Sequence, residues 1–331
     1  MEQISQPHKF SRKIFLACLG TVFMLIAPLS HAQNWPRHPI SLIVGNSAGG
    51  GIDVVARAVA KEMTQTLGQS VIVENVVGAA GLISAQKVAS AKPDGYTLLM
   101  NSSNLSGLPS LRKHMPFDLE HAFAPIALVA IGPMVFTVKA AMPVNSIQDV
   151  IKLAQSRPSQ LTYGSGGIGG TTHLASELFN EMAHVKIKHI PYKGASDLIT
   201  AVAGGQIDIG MSTLPAVEPF LQAGKIKALA VTSLKRMKQL PKLPTISEAG
   251  VPGYESLVWW GMAAPAGTPQ SVINTLNAAV RKAVASKNVQ RTFDNLGIEG
   301  AVDSPAEFAQ WIHKDILKTS ELEKKAGVQA Q

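Results

Sequence analysis

Cysteine is almost missing from this chain of 331 residues, which has one, Cys18. Cys18 sits in an N-terminal segment expected to be removed. What remains can form no disulfide, no thiol nucleophile and no cysteine-ligated metal site. An exported chain without cysteine suits the bacterial periplasm, where stray thiols would be oxidised. An apolar run long enough to span a bilayer is missing as well, since that takes about 20 residues. The longest run, Ile14 to Leu29, is shorter and is interrupted by Thr21 and two mild breakers. It follows the basic start Lys9, Arg12 and Lys13 and ends at the small-x-small triplet Ser30-His31-Ala32. This is the pattern of a signal peptide over residues 1–32, cleaved after Ala32, with a periplasmic mature chain that begins at Gln33.

Acidic residues are the scarcer sign, 22 against 30 Lys and Arg, for a net charge of +8. A clustered excess of this sign would point to nucleic acid or a membrane surface. Here the basic residues are scattered. The densest group, Lys225, Lys227, Lys235, Arg236, Lys238 and Lys242, has no interleaved aromatics and reads as a solvated face. No nucleic acid partner is expected. Metal-ligand spacing is missing too: His184 and His189 have no third ligand nearby. Carboxylates paired for general acid and base work do not stand out, and neither a cofactor nor a metal is expected.

What is present is an alternation of short β-branched runs with helical patterns. Ile40 to Val44, Val71 to Glu74 and Tyr96 to Met100 read as strands, with helices from Gly51 to Leu67 and from Gly78 to about Ser90. The pattern restarts after Pro133 with strands at Val135 to Val138, Leu161 to Tyr163, Lys188 to Tyr192, Ile207 to Met211 and Ala228 to Val231. Helices are expected at Ser146 to Ser156 and near Ser196 to Ala203, and Ser304 with Glu307 fits a capping box. Such alternation argues for α/β halves with parallel sheets. Two halves in succession predict two lobes that cross near residues 130–135 and 255–262. The implied layout is 33–132 with 256–331 as one lobe and 133–255 as the other.

Two glycine-rich segments carry the chemistry. Gly164-Ser165-Gly166-Gly167-Ile168-Gly169-Gly170 leads into Thr171-Thr172-His173 and a helical pattern, and Gly45-Asn46-Ser47-Ala48-Gly49-Gly50-Gly51 leads into Ile52-Asp53. Glycines let backbone approach a ligand closely, and Thr171 or Thr172 is placed to cap the helix that follows. The first N–H groups of a helix, backed by its dipole, bind anions such as carboxylate or phosphate. Two such starts, far apart in sequence, predict an anion held between two lobes. The polar loop Asn101-Ser102-Ser103-Asn104 follows a strand at its carboxyl end, where open α/β sheets bind ligands. Asp53 has two readings. It is either an acceptor for a hydroxyl or ammonium of a solute, or a first-turn carboxylate that offsets the helix dipole.

Other motif matches are weaker. Gly45-Asn46-Ser47-Ala48-Gly49 fits the nucleophile elbow of serine hydrolases, but too few residues precede it to build the oxyanion loop. Gly164-Ser165-Gly166-Gly167-Ile168-Gly169 fits the dinucleotide fingerprint. The acid expected about 20 residues on is missing, and no Walker lysine follows either loop.

A longer set of residues carries a family resemblance. Trp35-Pro36-x-x-Pro39-Ile40-x-Leu42-Ile43-Val44, Gly68-Gln69-x-Val71, Pro93-Asp94-Gly95-Tyr96-Thr97-Leu98-Leu99 and Pro191-Tyr192-Lys193-Gly194 occur in order. They are followed by Leu229-Ala230-Val231-Thr232-Ser233, Leu243-Pro244-Thr245-Ile246-x-Glu248-x-Gly250 and Ala264-Pro265-x-Gly267-Thr268-Pro269. Together they closely resemble the Bug (TctC-like) family, periplasmic solute-binding proteins of tripartite tricarboxylate transporters. The resemblance implies an α/β, two-lobed, type II periplasmic-binding-protein-like fold. Each lobe is expected to be a mainly parallel sheet flanked by helices, with the ligand cleft between lobes. It implies a monomeric, non-enzymatic receptor that binds a small organic carboxylate and passes it to the transporter's membrane permease. A sensor that presents the solute to a receptor kinase is the alternative, and a serine hydrolase using Ser47 a more distant one.

Carried over by position, the ligand-binding residues are Asn46, Ser47, Ala48 and Asp53 in the first loop, and Ser165, Gly166, Thr171, Thr172 and His173 in the second. Ser102, Ser103, Asn104, Ser212 and Thr213 line the cleft floor. The first loop departs from the family's usual Pro-Phe-Pro-Pro-Gly-Gly, which implies a more polar pocket mouth. The family's Asn-Arg-Pro-Gly-Ala-Gly-Gly reads Asn75-Val76-Val77-Gly78-Ala79-Ala80-Gly81 here.

Overall fold

Strand β1 (Ile40–Val44) is apolar except at Ser41 and buried at every apolar position, as a strand flanked on both sides must be. It leads into helix α1 (Gly51–Leu67), whose apolar stripe Ile52, Val55, Ala56, Val59, Ala60 and Met63 is buried. Gly68, at φ +66°, stops that helix in the left-handed conformation that glycine adopts without strain. The computed structural model describes Glu2, residues 35–46 and 48–325, and Gly327. Ser47 and the expected signal peptide, apart from Glu2, lie outside the described residues, as do Cys18 and the cleavage site after Ala32. Residues 38–331 form one unit that contains both sheets, and residues 1–37 form another.

The chain continues through β2 (Val71–Asn75), a 3-10 turn at Ala79–Gly81, α2 (Leu82–Ala89), β3 (Thr97–Ser102), the single turn α3 (Leu108–Leu111) and β4 (Phe123–Pro133). One residue, Met134, separates β4 from β5 (Val135–Lys139), which lies in the second sheet. There follow α4 (Ile147–Ser156), β6 (Thr162–Ser165), α5 (Thr171–Met182), β7 (Lys188–Pro191), α6 (Ala195–Ala203), β8 (Ile209–Ser212), α7 (Leu214–Gln222) and β9 (Ile226–Val231). Strand β10 (Leu257–Pro265) rejoins the first sheet, and α8 (Gln270–Val284), α9 (Lys287–Leu296), β11 (Glu299–Gly300) and α10 (Pro305–Lys325) complete the chain.

The six-stranded sheet has the order β11-β4-β10-β3-β1-β2 and the five-stranded sheet β7-β6-β8-β5-β9. The α/β two-lobed architecture is the one read from the sequence, but strand direction is mixed and not mainly parallel. β1 runs parallel to β2 and β3, whereas β10 runs antiparallel to β3 and β4. In the second sheet β6 is parallel to β7 and β8, and β5 is antiparallel to β8 and β9. The segments that carry the chain between sheets are themselves strands, and they run against the βα units beside them. Apolar clusters cover both faces of the second sheet and pack α2, α3 and α10 onto the first. The expected capping box is present: Ser304 N–H donates to Glu307 Oε2 at 2.8 Å, and Glu307 N–H to Ser304 Oγ at 3.3 Å.

Gly261 in β10 has no room for a side chain. A Cβ there would run into the ring of buried Phe308, 2.7 Å from Cε2 and 2.8 Å from Cε1. Gly261→Ala is expected to destabilise the protein by about 1–3 kcal/mol through overpacking. Adding Phe308→Leu should recover part of that loss in urea unfolding. Equal stability of Gly261→Ala and the parent would contradict this packing.

Candidate functional site

The second glycine loop runs from the end of β6 to the start of α5, with Gly167 at φ +136° and Gly169 at φ +71°. Its amides are largely engaged by the protein itself. Gly166 N–H donates to Thr172 Oγ1 at 2.8 Å, Gly167 N–H to Ser165 Oγ at 3.2 Å and Gly169 N–H to His173 Nδ1 at 3.0 Å. Neither Thr171 nor Thr172 caps α5, contrary to expectation. Gly170 is the N-cap residue and makes no side-chain cap bond. The threonine hydroxyls have other work. Thr172 closes the loop onto Gly166, and Thr171 Oγ1 bonds Ser103 Oγ at 2.7 Å and Asn104 Oδ1 at 3.0 Å. The acceptor for the first helical amide comes from the turn that follows β3 of the six-stranded sheet: Thr171 N–H donates to Asn104 Oδ1 at 3.2 Å. A carboxamide oxygen thus occupies the place where a helix start favours an anionic oxygen.

Behind this loop lies an aromatic stack. His173 and His189 have ring centroids 4.1 Å apart, and Tyr163 stacks on His189 at 5.0 Å. Ser165 Oγ lies 2.7 Å from His189 Nε2. Burial, with the neighbouring His189 as a lesser cause, pushes His173 down to about 3, and burial pushes His189 down to about 4. Both are neutral at neutral pH. Since His173 Nδ1 accepts Gly169 N–H, its proton is on Nε2. His189 was not among the expected site residues. The available signal was its place on β7, opposite Tyr163 in the parallel register.

The first loop is also self-contained. Asp53 is 2% exposed. Its Oδ2 accepts from Gly49 N–H at 2.8 Å and Arg57 Nε at 3.0 Å, and its Oδ1 from Asn75 Nδ2 at 2.9 Å. Asn75 Nδ2 also reaches Asn46 O at 2.9 Å. Burial raises the Asp53 pKa, but Arg57, the Gly49 amide and Asn75 outweigh it and hold the carboxyl below its ordinary value. Of its two readings, this geometry fits the structural one, a carboxylate that clamps the loop and the first turn of α1. Asn46 and Ala48 are exposed.

The end of β3 lies between the two loops. Ser102 shares a void of about 10 Å3 with Asn46, and Ser103 shares one of about 50 Å3 with Thr171. Among the described residues no hydrogen bond joins the two glycine loops directly, and none joins Ser212 or Thr213 to either. Ser212 Oγ and Asn101 Oδ1 are nevertheless buried without a partner at the ends of β8 and β3. A larger cavity of about 380 Å3, walled by Leu105, Leu119, Phe123, Trp259 and Ile312, contains none of the expected site residues. No cluster of three or more His, Cys, Asp or Glu fit for a metal occurs among the described residues, and no described helix is long and apolar enough to cross a membrane.

Residues 55–328 match the family described as tripartite tricarboxylate transporter family receptor. The chain is similar to an R. palustris protein solved with adipate, at 35% identity and TM-score 0.82, covering 90% of this chain and 100% of that one. It is similar to the periplasmic binding protein BugD, at 35% identity and TM-score 0.80 with the same coverage. It is similar as well to MatC from Rhodopseudomonas palustris with bound malate, at 29% identity and TM-score 0.77, covering 87% of this chain and 99% of that one.

Proposed function

The chain belongs to the tripartite tricarboxylate transporter receptor family, and from that premise we propose that it captures a small organic carboxylate in the periplasm, between its two lobes, and delivers it to the membrane permease of such a transporter. Family members are solute-binding proteins and not enzymes. Ser47 therefore has no nucleophilic role. The lobes of this proposal are residues 33–132 with 256–331, and 133–255, after removal of 1–32, and the receptor acts as a monomer.

One observation carries the reading: the start of α5 in one lobe is met by Ser103 and Asn104 of the other. A carboxylate oxygen can replace the Asn104 oxygen at Thr171 N–H and Thr171 Oγ1, with a gain from the helix dipole that a neutral amide does not have. Ser165, Gly166, Thr172 and His173 shape that end. Asn46, Ala48 and Ser102 would meet the far end of the solute, with Ser212 and Thr213 below. The adipate and malate carried by two similar structures support short dicarboxylates as the class to test first. Closure over the guest distinguishes loaded from empty receptor for the permease.

Thermal or urea unfolding against a panel of acids, amines and sugars tests this. A true ligand at about 100 times its dissociation constant should add about 2.7 kcal/mol of stability. Stabilisation by amines or sugars and by no carboxylate would overturn the proposal.

A further inference from the structure

Building on the receptor reading above, we propose that Glu323 is a positioning residue that holds the Gly164–His173 loop against the first lobe as a neutral carboxylic acid, so that closure over a solute takes up a proton. Glu323 is near the end of α10, which packs on both α3 and α5. It is 2% exposed. Its Oε2 accepts from Ser110 Oγ, and its Oε1 is buried without a partner.

Two glycines make room for the carboxyl, one from each half of the molecule. A Cβ on Gly107 would lie 2.6 Å from Glu323 Oε1 and 2.8 Å from Gly169 O, and a Cβ on Gly169 would lie 3.0 Å from the same Oε1. Gly107 follows β3 in the six-stranded sheet, and Gly169 belongs to the loop of the five-stranded one. Gly169 thus closes the side of the carboxyl that faces the second half, while Gly107 and Ser110 enclose it from the first. On this proposal, separation of Gly169 from Gly107 opens that side of the carboxyl to water.

A buried carboxylate with no cation is costly, and the group avoids that cost by keeping its proton. Burial, opposed only by the Ser110 hydroxyl, pushes Glu323 up to about 7 from an ordinary 4.5. No neighbouring charge offsets this. Arg112, Lys113 and His114 follow α3 and make no bond to Glu323 among the described residues. From α5, His173 is neutral, Glu177 accepts from Tyr163 Oη, and Glu181 pairs with Lys325 at 3.0 Å. On α10 itself, Lys325 also pairs with Glu321 at 3.1 Å, and Lys318 Nζ donates to Glu255 O at 3.4 Å. The remaining lysine of that turn, Lys324, is exposed.

The sign follows from linkage. The carboxyl holds its proton more tightly with the halves together than apart. Closure is therefore most favoured below the ordinary carboxylate range and weakens as pH rises through about 7. The receptor would then hold its guest better in acid and release it more readily above neutrality.

The test needs no solute. Spin labels on Ile83→Cys and Ile168→Cys, both exposed positions, in a Cys18→Ser background, report the distance between the halves. From pH 5 to pH 8 the ratio of the short to the long distance should fall at least about tenfold in the parent. In Glu323→Gln, a neutral isostere, it should change less than about twofold and stay at the acid value. Glu323→Ala should lower the short-distance population at both pH values. A parent ratio that does not vary with pH, or a Glu323→Gln profile that matches the parent, overturns the proposal. Such a failure leaves the receptor reading intact if carboxylates still stabilise the protein. Failure of the acid panel alongside a pH-dependent distance would instead sink the receptor reading and spare the proton linkage.

Discussion

Gly169→Val is expected to weaken carboxylate binding by about 5- to 150-fold while the variant still folds. Gly169 has φ +71°, where a β-branched residue is strained, and a Cβ there would overlap Leu111 Cδ1 and crowd Glu323 Oε1. Leu111 and Glu323 belong to the half of the chain that carries the six-stranded sheet, and Gly169 to the other. The clash therefore exists only when the halves are together, whereas the backbone strain is present in both arrangements. Overpacking of this kind costs about 1–3 kcal/mol. Placed on the closed form alone, that cost becomes the stated loss of affinity. Calorimetric titration with the acid that stabilises the parent most would measure it. Leu111→Ala in the same chain removes the atom that the new side chain meets and should recover part of the affinity. Unchanged affinity in Gly169→Val would mean that the loop does not approach α3 when the solute binds.

The parts of this arrangement that depend on neighbours in sequence were legible in advance. The end of α1 at Leu67, just before Gly68, and the Ser304–Glu307 box each rest on residues within one helical turn of one another. The sequence marks β4 and β10 only as crossing points between lobes. Their sequences, Phe-Ala-Pro-Ile-Ala-Leu-Val-Ala-Ile-Gly-Pro and Leu-Val-Trp-Trp-Gly-Met-Ala-Ala-Pro, are buried on both faces and show no alternation. Helix α7 was missed because Pro219 lies inside it.

At the site, sequence located the glycine loops but not the state of their donors. Whether Thr171 N–H is open to a guest depends on Asn104, 67 positions away. Glu323 was invisible for the same reason. In a lysine-rich helical tail a glutamate reads as solvated, and residues far off in sequence, Gly107, Ser110 and Gly169, enclose its carboxyl.

Acid should destabilise the protein well before its carboxylates are neutralised, and His173 and His189 should be the cause. In the folded protein burial, and for His173 the neighbouring His189 as well, pushes the two down to about 3 and about 4, against 6.5 when exposed. Between pH 6.5 and 4 the unfolded chain therefore binds protons that the folded chain refuses. Stability is fully present above 6.5 and is lost as pH falls, by about 3 kcal/mol per histidine at pH 4. Glu323 works in the opposite direction. Its folded value of about 7 lies above the ordinary 4.5, so between those limits the folded chain holds a proton that the unfolded chain lacks. It cancels part of the histidine effect. Urea unfolding at pH 7, 6, 5 and 4.5 should show a falling midpoint in the parent and a steeper fall in Glu323→Gln. In His173→Gln the Gly169 amide keeps an acceptor but one titrating ring is gone, so the fall should be about half that in the parent with Glu323→Gln in both chains. If the slope were the same in all of these chains, the stacked rings would have to be hydrated in the folded protein. Burial could then not hold them neutral beside the loop that receives the solute.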